Sequence, residues 1–412
     1  MLLIQNPTDL DFVPSPSMHS WRAMIAATLV CLSCGVSAED TSQTSIADDR
    51  STTANAPELW LGHYNPERLG NPTERWPAAS KAIDGIEFYI NMIAYKVPRE
   101  NLTAFCQSLR IHKIQVGVSG GYFDWESIPE VFTGQSTQTP IQEKVRLNVT
   151  SGVGELTARV EMKKLQNLID AAGGIDLIAL DGPIRRLLYP GADNGRTTPK
   201  GEAVGLKDTS QAVEEIIRYM QVWQESHPQI RFVVLTNFPN WGWRGDIAYW
   251  ASGPEGAYWG DYKPAVELLI QRCQQAGVRL EGLRVDHPYE FTTGEFKLAG
   301  TKWPTPIRDP KTVDWMARIR ELEQITRKAG LRFELIVNSE YGGATSNEAF
   351  AKRSLEYLHR YHEHGGRPDR YVLEGWYQYP NRVAPDTEMH TLSHTALEFD
   401  RQINALSLPA AQ

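Results

Sequence analysis

Cysteine is scarce: Cys31, Cys34, Cys106 and Cys273 are the four in 412 residues, too few for the stapled scaffold of a small secreted domain. Basic charge is not in excess either. With 42 Lys and Arg against 50 Asp and Glu, the formal net charge is -8, which excludes the basic face that nucleic acid or an anionic membrane surface requires. A long apolar run occurs once, from Ala23 to Val36, and it is too short to span a bilayer with margin. No Gly-rich phosphate turn follows the first strand-like run. No His/Cys/Asp group has zinc or calcium spacing; His362 and His364 in YHEHGG do not share a helical face and suit the cation-favouring end of a helix. No cofactor or metal is expected.

The flanks of the apolar run explain it. Arg22 precedes it, and Val36-Ser37-Ala38 followed by two acids closes it, which is the layout of a secretory signal peptide cleaved after Ala38. Met18 is an alternative start. Cleavage removes Cys31 and Cys34, so Cys106 and Cys273 remain as one disulfide or as two buried thiols. Residues 39–57 (EDTSQTSIADDRSTTANAP) are polar and free of aromatic rings, the composition of a disordered leader. The expected organisation is a signal peptide (1–38), a leader (39–57) and one catalytic domain (58–412) of a secreted or periplasmic monomer.

From Glu58 onward, apolar runs alternate with amphipathic ones. The strand-like runs are LWLGHY, IEFYINMIAY, KIQVGVS, IDLIALD, RFVVLTNF, LEGLRVD, RFELIVNSE and RYVLEGWY. Between them lie helix-like segments such as VEMKKLQNLIDAAGG, YKPAVELLIQRCQQAG and TVDWMARIRELEQITRKAG, with Gly after the last turn. Buried strands in strict alternation with helices call for a parallel sheet, and eight units over about 350 residues is the count of a (β/α)8 (TIM) barrel. An open doubly wound sheet is the alternative. The stretches 123–154, 182–208 and 289–310 are then long βα loops on the functional face.

In a barrel the chemistry sits where strands end. Here they end in His63 and Tyr64; Asn91; Tyr122, Asp124 and Trp125; Asp181; Asn237; Arg284, Asp286 and His287; Asn338 and Glu340; Glu374 and Trp376. Acids at several strand ends with aromatic residues beside them suit a carbohydrate, whose hydroxyls meet carboxylates and amides and whose C–H faces meet rings. After the fifth strand Trp241, Trp243, Trp250, Tyr258 and Trp259 add further candidate sugar contacts. Each of these rings could instead cap the core, and Asp181 could be a helix cap.

The run EGLRVDHP, Glu281 to Pro288, resembles the Asp-Gly-x-Arg-x-Asp-His segment of the α-amylase family of retaining glycosidases and transglycosylases. That resemblance implies Asp286 as nucleophile with Arg284 beside it. Residues two apart on a strand point to one face, and a neighbouring guanidinium would keep Asp286 ionised in a partly dry pocket. Other barrel glycosidases pair aspartates on the fourth and sixth strands, here Asp181 and Asp286; a further group uses glutamates on the fourth and seventh, of which Glu340 matches. The general acid needs burial away from arginine. Glu340, followed by Tyr341 and two glycines, fits best, and Glu374 near Trp376 is next. The expectation is a glycoside hydrolase acting on a poly- or oligosaccharide through two of Asp286, Glu340, Asp181 and Glu374. Arg284, His287, Asn237, Asn338, Trp241, Trp243, Trp376, Tyr122, Asp124 and His63 would bind substrate. A carbohydrate-binding barrel without activity, or another hydrolase or lyase using the same mouth, are the alternatives.

Overall fold

Eight short runs of β-branched and aromatic residues become eight strands in the computed structural model. They are β1 (Glu58–His63), β2 (Gly85–Tyr89), β3 (Gln115–Gly120), β4 (Leu177–Asp181), β5 (Arg231–Asn237), β6 (Leu280–Asp286), β7 (Arg332–Val337) and β8 (Arg370–Gly375). All pair in parallel with their neighbours in sequence, and β8 returns to β1, closing a barrel. The protein is a (β/α)8 barrel, as the alternation predicts. The structure describes residues 56–90, 97–123, 152–188, 208–246, 248–249, 260–296 and 309–407. The signal peptide, nearly all of the leader, most of the three long loops, and Asn91, Asp124, Trp125, Trp250, Tyr258 and Trp259 lie outside them. The chain divides into Met1–Thr53 and Ala54–Gln412, and every described residue falls in the second unit.

Long helices follow seven of the strands: α1 (Arg99–Ile111), α2 (Val153–Ala172), α3 (Thr209–Ser226), α4 (Tyr262–Ala276), α5 (Trp315–Lys328), α6 (Asn347–Glu363) and α7 (Leu392–Ser407). Their ends are locally encoded. Asp208, Asp261 and Ser346 accept from the N–H two or three residues on, satisfying donors that the first turn leaves open. Gly173 and Gly277 close α2 and α4 with left-handed backbone, where a side chain would be strained. After β1 the expected long helix is absent; short turns at Pro66–Leu69, Pro72–Arg75 and Ala79–Ala82 occupy that place around the buried Trp76.

Two cores result. One lies between barrel and helices, and it holds Cys106 and Cys273 as separate buried thiols. The other fills the barrel with Trp60, Leu177, Val233, Leu235, Ile336 and Val372. Trp60 is fully buried, and its indole occupies the room left by Gly85 and Gly117 on the next two strands. A Cβ at those positions would lie 2.3 and 2.5 Å from the ring. One large side chain therefore serves three strands, the interdigitation that makes a barrel interior a packed core rather than a channel.

Candidate active site

Below the mouth, the barrel interior carries a buried ionic row. Arg284, Glu334 and Arg370 are register partners across β6, β7 and β8, and all three are completely buried. The Arg284 Nε donates to Glu334 at 2.8 Å, its other arm pairs with Glu87 of β2, and Arg370 pairs with Glu334 and Glu58. Arg284 is therefore neither a substrate contact nor the cation that governs Asp286. It shares a face with Asp286, but two residues of strand rise, about 6.6 Å, put it one layer deeper, where Glu87 and Glu334 claim it. Such a row contributes little net stability, yet removing one member leaves a charge stranded in the core.

Asp286, at the end of β6, receives the Asn237 Nδ2 donor from its register partner on β5 at 2.9 Å. Asn237 can present its amide N–H this way because Arg185, on the turn after β4, donates to its carbonyl oxygen at 3.1 Å. The arginine serving Asp286 is thus Arg185, acting through Asn237. Burial pushes Asp286 up to about 6; Asp181 adds to the rise, while the bonds from Asn237 and Asn338 and the Arg185 charge oppose it. Burial also pulls Arg185 down to about 10. Asp181 is held in an ion pair with Arg186, whose guanidinium also covers the Tyr122 ring at 4.7 Å.

Two further acids reach the same space. Glu374 of β8 accepts from the Tyr89 hydroxyl at 2.6 Å and from the Asn338 amide at 3.4 Å. Tyr89 lies on β2, so this bond crosses β1, and it can do so because β1 presents Gly62 there. A Cβ would stand 3.0 Å from the Tyr89 oxygen and 3.4 Å from the Glu374 Cγ. Burial first, then the Asp286 charge, pushes Glu374 up to about 8. Glu340, at the turn after β7, is pushed up to about 8 by burial, then by Glu290 and Asp286. Its carboxyl makes no hydrogen bond to the described residues and remains partly exposed. Tyr377 lies near Glu340, Asp286 and Glu374 together, and burial first, then their charges, raises its phenol well above the ordinary range.

The aromatic lining differs from the expected one. Trp241 and Trp243 are 3 and 4 % exposed and belong to the core behind β5. Trp241 packs on Tyr262 at 5.0 Å, and Trp243 bonds Glu321 of α5 at 2.9 Å. Neither presents a face to a ligand. The rings beside the acids are the half-buried Trp376 with Tyr64 stacked on it at 4.6 Å and Tyr89 edge-on at 5.0 Å. His63 and His287 are not ligand contacts either. His63 is buried, accepts from Asn65 N–H through Nδ1 and reaches the Pro380 carbonyl through Nε2, tying the β1 and β8 loops; burial pulls it down to about 4. His287 lies among Phe238, Phe291 and Trp315 and is pulled down to about 3 by burial. Apolar or one-sided surroundings hold both neutral at any ordinary pH.

Of the predicted residues, the structure brings together Asp286, Glu340, Glu374, Asn237 and Asn338, with Trp376 beside Glu374 and Asp181 and Tyr122 beside Arg186. Sequence reasoning missed Arg185, Tyr89 and Tyr377, and named Tyr64 only as a strand-end residue. Tyr89 had a signal: it is two residues past Glu87, the register partner of Gly62, and so shares its face of β2. Among the described residues no group of three or more His, Cys, Asp or Glu is placed to hold a metal ion.

A parallel barrel with ionisable groups gathered where its strands end defines the class of protein: an α/β barrel with an enzyme-like mouth. No protein-family model and no curated protein matches the chain. Solved structures with a similar fold include an endo-beta-1,4-mannanase from Thermotoga petrophila, at 10% identity over 87% of this chain and 79% of that one, TM-score 0.49. A GH10 endoxylanase from a sugarcane soil metagenome shares 11% identity over 84% and 97%, TM-score 0.43. A putative phosphonomutase from Burkholderia cenocepacia shares 13% over 78% and 88%, TM-score 0.33. At such identities the likeness is one of fold alone, and the fold hosts many chemistries.

Proposed function

We propose that the protein is a glycoside hydrolase in which Asp286 is the nucleophile and Glu340 the general acid. The observation that carries this reading is the pairing of unlike carboxyls in one mouth. Asp286 is ionised above about 6 and is held by amide donors. Glu340 keeps its proton to about 8 and has no partner of its own among the described residues. Environments that push two acids apart are what divides acid from base work. Glu340 would give its proton to the glycosidic oxygen as the C–O bond breaks, while Asp286 attacks the anomeric carbon on the opposite side. Glu374 is engaged by Tyr89 and Asn338 and would meet a sugar hydroxyl. Trp376 and Tyr64 offer the flat apolar surface that pyranose C–H faces need.

The test is hydrolysis of a panel of aryl glycosides and neutral polysaccharides by the wild type and by single variants. Asp286→Asn should abolish turnover while retaining binding, since its charge acts on the oxocarbenium-like transition state. Glu340→Gln should lose little on substrates with a good leaving group, and added azide should restore turnover. Polysaccharide bound but never cut by the wild type would instead identify a binding barrel, and unimpaired cleavage by Asp286→Asn would remove the assignment.

A further inference from the structure

The turn that follows β6 holds a carboxylate not used so far. Glu290, in the helical turn Tyr289–Thr292, is completely buried. Its Oε1 accepts from Ser339 Oγ at 2.5 Å, and its Oε2 accepts from the backbone N–H of Glu340 at 2.9 Å. Arg353 of α6 reaches Oε1 at 3.4 Å. Ser339 in turn accepts from Gly342 N–H at 2.8 Å and so caps the turn Glu340–Thr345. Alongside, the Tyr289 N–H donates to the Asn338 carbonyl at 3.2 Å. The ends of β6 and β7 are therefore joined through one buried side chain, and the residue it grips is the proposed acid.

We infer that Glu290 is the positioning residue for Glu340: its carboxylate fixes the turn that carries Glu340, and its negative charge keeps the Glu340 proton in place. This rests on the reading of Glu340 as the proton donor. The Glu290 charge opposes ionisation of Glu340, and the hydrogen-bond donors stand on the Glu290 side. Glu290 has three, Ser339, the Glu340 N–H and Arg353; the Glu340 carboxyl has none among the described residues. The other groups facing Glu340 do not reverse this. Asp286 from β6 is a second negative charge that opposes its ionisation, and Tyr377 from the loop after β8 is an unionised phenol at neutral pH. Arg353 is the cation on the Glu290 side, and it is bound to Glu290.

The experiment is a 13C NMR titration of the full chain with labelled glutamate carboxyls, the Glu340 signal being the one missing in Glu340→Gln. Glu290→Gln retains the shape of the clamp, since its amide oxygen can accept from the Glu340 N–H while its N–H donates to Ser339 Oγ. The Glu340 midpoint should fall by about one pH unit or more in this variant, and the alkaline limb of any pH-rate profile should fall with it. Arg353→Met, at a half-exposed position, should move the midpoint the other way by leaving Glu290 less screened. A purely mechanical brace would not produce opposite shifts. A Glu340 midpoint unmoved in folded Glu290→Gln overturns the inference. If that variant does not fold, Arg353→Met decides, and a midpoint that stays or falls overturns it. Shifts as expected in a protein that cuts no glycoside would sink the proposed function and leave this coupling standing.

Discussion

Two arginines carry opposite expectations, and exchanging each for methionine separates them. Arg185→Met removes the donor that orients Asn237 and a cation that favours ionised Asp286, so both effects raise the Asp286 proton affinity. The Asn237–Asp286 contact at 2.9 Å is a charge-assisted bond. Weakening it by about 1.4 kcal/mol, near the low end of the range for such bonds, amounts to about one pH unit. The sign follows from Asp286 having to be ionised: the acidic limb of kcat/KM moves from near 6 to about one unit higher. At pH 5 the active fraction then drops roughly tenfold, while near pH 8 it is nearly unchanged on that limb. Arg284→Met should leave the limb where it is and cost stability instead, about 3 to 5 kcal/mol, because Glu87 and Glu334 lose their buried partner. The assay is kcat/KM against pH on an aryl glycoside, alongside thermal unfolding. An acidic limb that moves with Arg284→Met and not with Arg185→Met would refute the assignment.

The aromatic residues divide in the same way. Trp376→Ala should weaken oligosaccharide binding by roughly 1 to 3 kcal/mol in calorimetry with little change in unfolding. Trp241→Ala should lower stability by about 3 to 5 kcal/mol, the cost of emptying a core site, with affinity unchanged in the folded fraction. Glu374→Gln should stabilise the protein above neutral pH. The Glu374 carboxyl holds its proton to about 8 when folded, against an ordinary 4.5, so the wild type loses stability as pH rises from 4.5 through 8 and the uncharged amide does not. Melting temperatures of the two should coincide near pH 4 and diverge by pH 8; equal curves throughout would show that Glu374 is ionised at no cost.

Tyr89 illustrates why part of the site escaped a reading along the chain. Its partner Glu374 is 285 residues away, and the two meet only because barrel closure puts β8 beside β1 and Gly62 leaves the gap between them. Arg185 is similar: it sits four residues past the end of β4, and nothing local says that it turns to Asn237 on β5. The tryptophans of NFPNWGWRGD follow a strand end, which suggests sugar contacts, but Trp241 packs on Tyr262 and Trp243 on Phe238, and both are buried. Strand identity, by contrast, is a local property. Runs buried on both sides must be apolar throughout, helices between them must alternate faces, and their ends must satisfy open N–H and C=O groups; all of this is written in neighbouring residues. The eight strands, their order and the strand-end positions of Asp286, Glu340 and Glu374 were therefore legible along the chain. Which arginine answers which acid was decided only by the tertiary structure, because side chains on one strand face are separated by depth in the barrel, and depth is set by the register of strands far apart in the chain.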